Sequence, residues 1–220
     1  QTGMATTTLV CVASDNGCAP YTGMKGMEEK GHYPSADKRG YKSDIWDGGH
    51  HVPFMARWPG RIRAGTTNSQ TICLTDFMAT CAEVVGAKLP DNAAEDSVSL
   101  LPSLLGKPQP PKHDAVVHHS IDGNFAIREG KWKLIFCSCS GGWSQPKTNS
   151  KAGKELPPVQ LYDLASDPAE QKNVQAENPE VVKRLTRLME KYIADGRSTP
   201  GPKQINDVAV EWHVPRKANE

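Results

Sequence analysis

The fold class this sequence predicts is α/β, an open sheet domain followed by a small α+β subdomain. Three observations predict it. A β-branched run with a continuously apolar centre lies near the start, as in strands covered on both faces of a parallel sheet. Beyond residue 112 several short strand-like runs are separated by glycine turns. A single helical repeat then follows them, which gives a helix on a small sheet.

The first element is Thr6 to Ala13, with Leu9-Val10-Cys11-Val12 at its centre. It reads as a strand buried on both faces. Ser14-Asp15-Asn16-Gly17 follows at once. Asn16-Gly17 also fits a hairpin turn, but Cys18 to Gly40 is rich in Gly, Lys and Glu and offers no partner strand, so a long loop is expected. After Trp46-Asp47-Gly48-Gly49-His50-His51-Val52-Pro53 comes a short strand, Phe54 to Trp58, stopped by Pro59-Gly60. Thr75-Asp76 can cap a helix through Val85, with Phe77, Met78, Cys81, Val84 and Val85 in helical repeat and Gly86 as its stop. Leu89 to Pro111 contains five prolines and reads as a connection, interrupted by a turn over Val98 to Leu105.

A boundary near Lys112 divides the chain into 1–112, 113–196 and a polar tail, 197–220, that either drapes over the body or is mobile. The second segment carries the runs Ala115 to Ser120, Phe125 to Arg128, Lys131 to Cys137 and Gln160 to Leu164. Asp122-Gly123 and Glu129-Gly130 separate the first three, as in an antiparallel meander. Asn178-Pro179-Glu180 opens a helix through Ala194, with Val181, Val182, Leu185, Leu188, Met189, Tyr192 and Ile193 on one stripe.

Composition excludes several roles. Lys and Arg number 26 against 25 Asp and Glu, so the net charge of +1 gives no electrostatic footprint for nucleic acid. No apolar run approaches the roughly 18 residues of a membrane span. The chain opens on Gln1 rather than Met, which reads as a processed or truncated product. Six cysteines are too few for a disulfide scaffold, and no Cys-x-x-Cys pair has zinc spacing. Free thiols are expected. Cys137 and Cys139 should share one face of a strand, where a bridge would be strained.

Asp15 and Asn16 place a carboxylate and an amide oxygen side by side after a strand, where open α/β sheets build their sites. Hard oxygen donors of this kind suit Ca²⁺ or Mg²⁺. Lys42, beyond the long loop, can meet an anionic substrate as a compact charge. In His50-His51 and His118-His119 neighbouring side chains diverge on extended backbone, so structural or substrate-lining roles are favoured over metal ligation. His50 and His119 are the members taken as substrate-lining. Cys18-Ala19-Pro20-Tyr21-Thr22 carries a thiol in a loop, but no adjacent charge activates it as a nucleophile.

Five segments, in order, resemble the carboxyl-terminal part of a type I sulfatase of the arylsulfatase kind, in the alkaline-phosphatase-like superfamily. They are Leu9 to Gly17 with its Ser-Asp-Asn-Gly; Gly40-Tyr41-Lys42 through Asp47-Gly48-Gly49-His50-His51-Val52-Pro53; Arg57-Trp58-Pro59-Gly60; Ile127 to Leu134; and Leu161-Tyr162-Asp163-Leu164 with Asp167-Pro168-Ala169-Glu170 and Asn173. The resemblance runs from about Thr8 to Gly196. It implies that 1–112 is the carboxyl-terminal part of the catalytic α/β domain and 113–196 the small subdomain. It further implies that Asp15 and Asn16 are half of a divalent-cation site, Ca²⁺ or Mg²⁺, and that Lys42 contacts the sulfate.

The family's nucleophile, a formylglycine hydrate, arises within Cys/Ser-x-Pro/Ala-x-Arg, a motif this sequence does not contain. Cys18 to Thr22 has Thr22 where that motif has Arg, and it follows Asp-Asn-Gly instead of preceding it. The chain alone is therefore expected to be inactive, the whole protein to hydrolyse aryl or carbohydrate sulfates, and the location to be periplasmic or secreted. Asp47 stands where the family has Glu and His51 where it has Arg. Two alternatives stay beside this reading: a phosphatase or phosphonate hydrolase of the same superfamily, and a non-catalytic binding module derived from a sulfatase. Oligomeric state is left open.

Overall fold

Residues 2–107, 113–147 and 150–212 are described by a computed structural model of the chain. They group into two compact units that do not follow chain order. The first draws on Gln1–Asp15, Pro53–Val116 and Tyr192–Ile205, the second on Asn16–Val52, Val117–Lys191 and Asn206–Glu220. This spatial grouping differs from the chain-order division at 112 and 196; Lys112 itself lies outside the described residues, as does the tail beyond Trp212.

In the first unit β1 (Val10–Ala13) pairs antiparallel with β2 (Phe54–Arg57), Val12 facing Met55. The expected strand from Thr6, buried on both faces of a parallel sheet, is corrected here. Met4–Thr6 form a 3-10 turn, and Val10 and Val12 are 45% and 53% exposed. The reason is geometric. Successive side chains alternate between faces, and among the described residues this ribbon has only two strands, so Val10, Val12 and Met55 share a face that nothing covers. On the other face Phe54 packs edge-on against Phe77, at 6.0 Å between centroids.

Phe77 opens a helix over Phe77–Val85 that ends at the left-handed Gly86, as its repeat predicts. Asp76, fully buried, fixes its start. Its carboxylate accepts from Cys73 N (2.8 Å), Val98 N (2.9 Å) and His113 Nε2 (2.8 Å), tying the connection 97–98 and residue 113 to the helix start. The 98–105 turn contains a short helix, Leu101–Leu104. Residues 197–205 are draped rather than loose: Arg197 donates to Asp91 O, Thr199 O and Pro202 O, and Thr199 Oγ1 donates to Glu95 O.

The second unit is built on four strands in the order β3 (Val116–His119), β4 (Phe125–Glu129), β5 (Trp132–Ile135), β6 (Gln160–Asp163). β4–β5 and β5–β6 pair antiparallel, with Ala126 opposite Ile135 and Lys133 opposite Tyr162. The meander is as the turn signals predict, but β5 stops two residues early. Cys137 and Cys139 lie past its end, buried and with free thiols, not on one strand face.

Alternation sorts the sheet residues. Ile127, Leu134 and Leu161 are fully buried on one face. Ala126, Ile135, Tyr162, Gln160 and Lys133 lie on the other, where Ile45, Trp46 and Cys137 complete a core with Ala126, Ile135 and Tyr162.

In chain order the helices are α1 (Met24–Glu28), α2 (Asp47–His50), α3 (Phe77–Val85), α4 (Leu101–Leu104), α5 (Lys151–Glu155) and α6 (Pro179–Asp195). α1 interrupts the expected loop 18–40, and α2 and α5 were not expected. Each of these three is at most five residues, too short to show a hydrophobic period. α6 matches its predicted stripe, with Val181, Leu185, Met189 and Tyr192 buried, and Arg184 pairs with Glu129 at the end of β4.

Candidate functional site

The loop from Asn16 to Val52 is tied to the sheet of the second unit, and Lys42 sits at its centre. Its two ends are stitched together by main chain. Gly17 N donates to Gly49 O (2.9 Å), Lys42 N to Cys18 O (2.9 Å) and Gly48 N to Arg39 O (2.7 Å). Two glycines make this approach feasible. A Cβ on Gly17 would lie 1.8 Å from Gly48 O, and one on Gly48 would lie 2.0 Å from Gly40 O. Gly17 is therefore a packing requirement, not only a turn former, and residues 16–18 run beside 42–49.

Beneath the loop lies a buried ionic cluster. Lys133 Nζ, with no exposed side-chain surface, is 2.7 Å from Asp47 Oδ1 and 2.8 Å from Glu170 Oε1. Glu170 Oε2 accepts the Asp47 main-chain N–H at 2.6 Å. Burial disfavours the charge on Asp47, but Lys133, with His51 and Arg128 also near, overrides it and holds that carboxyl well below the usual range. Burial dominates at Glu170 and pushes its carboxyl up, aided by the Asp47 charge. Asp47 is thus the permanent partner of Lys133, and Glu170 the carboxyl that more readily accepts a proton. Asp47 ties α2 to Lys133.

A second lock surrounds Arg39. Its guanidinium lies 3.6 Å from the centre of the Trp46 ring and donates to Glu170 O (2.8 Å) and Tyr162 Oη (3.3 Å). Gln160 is saturated: Oε1 accepts from Trp46 Nε1 (3.1 Å) and Tyr162 Oη (2.8 Å), while Nε2 donates to Cys137 O (2.8 Å) and Cys139 O (3.0 Å). Lys133 of β5, Gln160 and Tyr162 of β6 and Glu170 beyond them thus hold residues 39–47 from below.

The sequence-derived site residues fall as follows. Asp15 is exposed, two residues past β1. Asn16 is partly buried, and its Nδ2 donates to Gly17 O at 3.0 Å. The division between the units falls between these two residues, so each is described by itself. Their donor chemistry fits a hard divalent cation. They supply only part of a shell, because no cluster of three or more His, Cys, Asp or Glu suited to a metal exists among the described residues. Lys42 is partly buried, and among the described residues its ammonium has no side-chain partner.

The ring of His50 packs against that of His118, at 4.4 Å between centroids with the planes tilted by 51°. Each of these two rings bonds to main chain, His50 at Asp44 and His118 at Ile45, and both Nε2 atoms are buried without a partner among the described residues. Burial first, then the Lys133 charge, lowers His50 to about 4 and His118 well below its usual value. Both are neutral imidazoles at physiological pH. His119 is exposed and lies against Phe125 at 5.8 Å. Cys18 bonds Met24 Sδ through its thiol.

Sequence reading missed Lys133, Glu170, Gln160 and Arg39. The signal was present: Lys133 interrupts the apolar run of β5, and Glu170 closes Asp167-Pro168-Ala169-Glu170. A lysine in an inward-facing register of a central strand demands a buried counter-charge.

Comparison with known proteins decides the family. The description "C-terminal region of aryl-sulfatase" matches residues 111–218, and "Sulfatase" matches residues 1–87. The chain belongs to the sulfatase family. The N-acetylgalactosamine-6-O-sulfatase of Bacteroides thetaiotaomicron is 33% identical over 191 residues, covering 83% of this chain and 36% of that protein. Human arylsulfatase A is 32% identical, covering 92% of this chain and 41% of the relative.

A solved structure from Bacteroides thetaiotaomicron, described with the metabolism of multiple glycosaminoglycans, superposes with a TM-score of 0.70 at 29% identity. It covers 84% of this chain and 38% of that one. These relatives are sulfuric ester hydrolases, and their fold is the alkaline-phosphatase-like α/β class. The chain spans about two fifths of the length of the curated relatives it matches. No helix among the described residues is long and apolar enough to cross a membrane.

Proposed function

We propose that the protein to which this chain belongs hydrolyses a sulfate ester of a carbohydrate, and that the chain supplies Lys42 as the sulfate contact and Asp15 and Asn16 as part of a cation site. The supporting observation is the stitching of residues 16–18 to 42–49, which holds Lys42 beside the segment that begins with Asn16. Charge logic supports it as well. A sulfate ester carries a negative charge, and its bridging oxygen gains more as the bond to sulfur breaks. A lysine ammonium preset beside that oxygen stabilises the transition state without reorganisation. A divalent cation, when bound, would add electrophilic stabilisation of the sulfate oxygens.

Asp15 and Asn16 would hold that cation through hard oxygens, while Lys133, Asp47 and Glu170 keep the Lys42 loop in place. The nucleophile, a formylglycine hydrate by family resemblance, is assigned outside these 220 residues. In the same reading 1–112 derives from the catalytic domain, 113–196 is the small subdomain, and the protein works in the periplasm or outside the cell. The carbohydrate assignment rests on the relative that acts as an N-acetylgalactosamine-6-O-sulfatase.

The test is hydrolysis of a chromogenic aryl sulfate by the protein isolated from its source, with and without Ca²⁺, alongside its intact mass. Ca²⁺-dependent turnover by a species well above 24.0 kDa, lost in Lys42→Ala and Asp15→Ala, is expected. Turnover at 24.0 kDa would place the nucleophile inside this chain and refute the assignment. Preference for the aryl phosphate would overturn the sulfatase reading in favour of phosphoryl transfer.

A further inference from the structure

Three segments of the second unit meet around Lys42. The stretch 18–22 is joined through Cys18 O to Lys42 N. The stretch 140–144 is joined to the residues just after Lys42. Trp143 N donates to Ser43 Oγ (3.2 Å), Ser144 N to Asp44 Oδ1 (3.0 Å), and Ile45 N to Ser140 O (2.8 Å). Ser144 Oγ also donates to Asp44 Oδ2. The fit is close enough that a Cβ on Gly142 would lie 2.5 Å from Ser43 O.

Ser43 itself has φ of 85°, a left-handed conformation costly for a residue with a side chain. It is held there from two sides, since its carbonyl accepts Ile121 N (3.0 Å) and its hydroxyl accepts Trp143 N. Strain of this kind persists only where surrounding contacts over-determine it, and such places cluster at ligand clamps.

Two large aromatic rings project from these stretches and meet in the open. Tyr21 is 70% exposed and Trp143 40% exposed, yet their centroids are 6.1 Å apart with planes tilted by 52°. Neither ring belongs to the core around Trp46 and Tyr162. A single exposed aromatic needs no explanation, but two that contact each other while both staying exposed, carried by segments anchored on either side of the Lys42 backbone, form a surface.

We infer that Tyr21 and Trp143 form a platform for the sugar ring that bears the sulfate ester, with Lys42 taking the sulfate. The inference rests on the sulfatase reading and adds the element that recognises the ring. Ligand sites combine aromatic faces with a few placed polar groups, and here the polar group is a cation matched to the ester's charge. An aromatic face is electron-rich, so it attracts the polarised C–H bonds on the puckered face of a pyranose.

Both side chains can be removed without touching the anchors, because Trp143 contributes only its main-chain N–H to Ser43. Calorimetric titration of the full protein with three probes tests the proposal: sodium sulfate, N-acetylgalactosamine 6-sulfate and unsulfated N-acetylgalactosamine. Wild type, Trp143→Ala, Tyr21→Leu and Lys42→Ala are compared, with circular dichroism reporting the fold. Loss of one stacking face corresponds to about 3- to 10-fold in affinity. Trp143→Ala should weaken both sugars by that factor and leave inorganic sulfate unchanged. Tyr21→Leu should do the same to a smaller degree, and Lys42→Ala should weaken sulfate and the sulfated sugar but not the free sugar.

Unchanged sugar binding in Trp143→Ala overturns the platform, as does a parallel fall in sulfate affinity, which would mark Trp143 as a support for Ser43. Sugar binding that depends on Trp143, in a protein indifferent to sulfate, keeps the platform and refutes the sulfatase reading. A protein that binds none of the three probes refutes both.

Discussion

Lys133→Met is the sharpest test of how the Lys42 loop is held. In the parent protein Lys133 has no exposed side-chain surface and lies between two carboxyl groups at 2.7 and 2.8 Å. Methionine fills a similar volume and removes the charge that Asp47 and Glu170 share. Removing one member of a buried ionic cluster strands the others, at a cost of about 3–5 kcal/mol. For a chain of this size each kcal/mol lowers the melting temperature by about 2–4 °C, so the expected fall is about 6–20 °C.

The sign of the pH dependence distinguishes charge from packing. Without Lys133 both carboxyls become easier to protonate in the folded state than in the unfolded one. Their contribution is then complete only below the unfolded values near 4 and is lost as pH rises. The deficit of the variant should therefore be larger at pH 7.5 than at pH 4.5, read by circular dichroism melts at both values. A variant that melts within about 2 °C of the parent at each pH, or whose deficit is the same at both, would refute the reasoning; the threshold is half or less of the shift per two kcal/mol.

Two other perturbations probe the same loop. Gly48→Ala puts a methyl group 2.0 Å from Gly40 O, where backbone must move, so a loss of about 1–3 kcal/mol is expected in denaturant titration; a neutral substitution would show that residues 40 and 48 are not in contact. His50 and His118 are held neutral by burial, with the folded value of His50 lowered to about 4 and that of His118 lowered well below its usual range. Their contribution is present above the unfolded value near 6.5 and is lost as pH falls toward 4. Stability should decline over that window, and the double variant His50→Phe/His118→Phe should decline less steeply. Glu170, pushed up by burial, acts in the opposite direction above its unfolded value, so the difference between parent and double variant is the quantity to compare.

What could be read from the sequence, and what could not, follows from the range of the interaction concerned. α6 announced itself because seven apolar residues repeat over four turns and a proline opens it. The β4–β5 hairpin did so because Glu129-Gly130 sits between two apolar runs. Lys42 stood out through the resemblance of Gly40-Tyr41-Lys42 and Asp47-Gly48-Gly49 to the sulfatase pattern. Asp47, in contrast, reads as a variant loop acid in one dimension and becomes the partner of Lys133 only in three, across 86 residues. β1 was misread because its apolar run matches that of a doubly covered strand, whereas the described residues place beside it only β2. Which of His118 and His119 meets the loop is likewise not written in the sequence, because a strand sends adjacent side chains to opposite faces.

The anchors of the Lys42 loop also dictate an order of events during synthesis. Arg39 and Asp47 find Glu170 at separations of 131 and 123 residues, and Trp46 finds Gln160 at 114. A ribosome adding about 5–20 residues per second needs about 6–25 s to travel from residue 47 to residue 170. Trp46 and Ile45, which end with almost no exposed surface, lack their core partners until Ala126, Ile135, Cys137 and Tyr162 have been made. A chain released before Glu170 is made would carry Lys42 in its sequence and lack the carboxyl and carbonyl that hold Asp47 and Arg39.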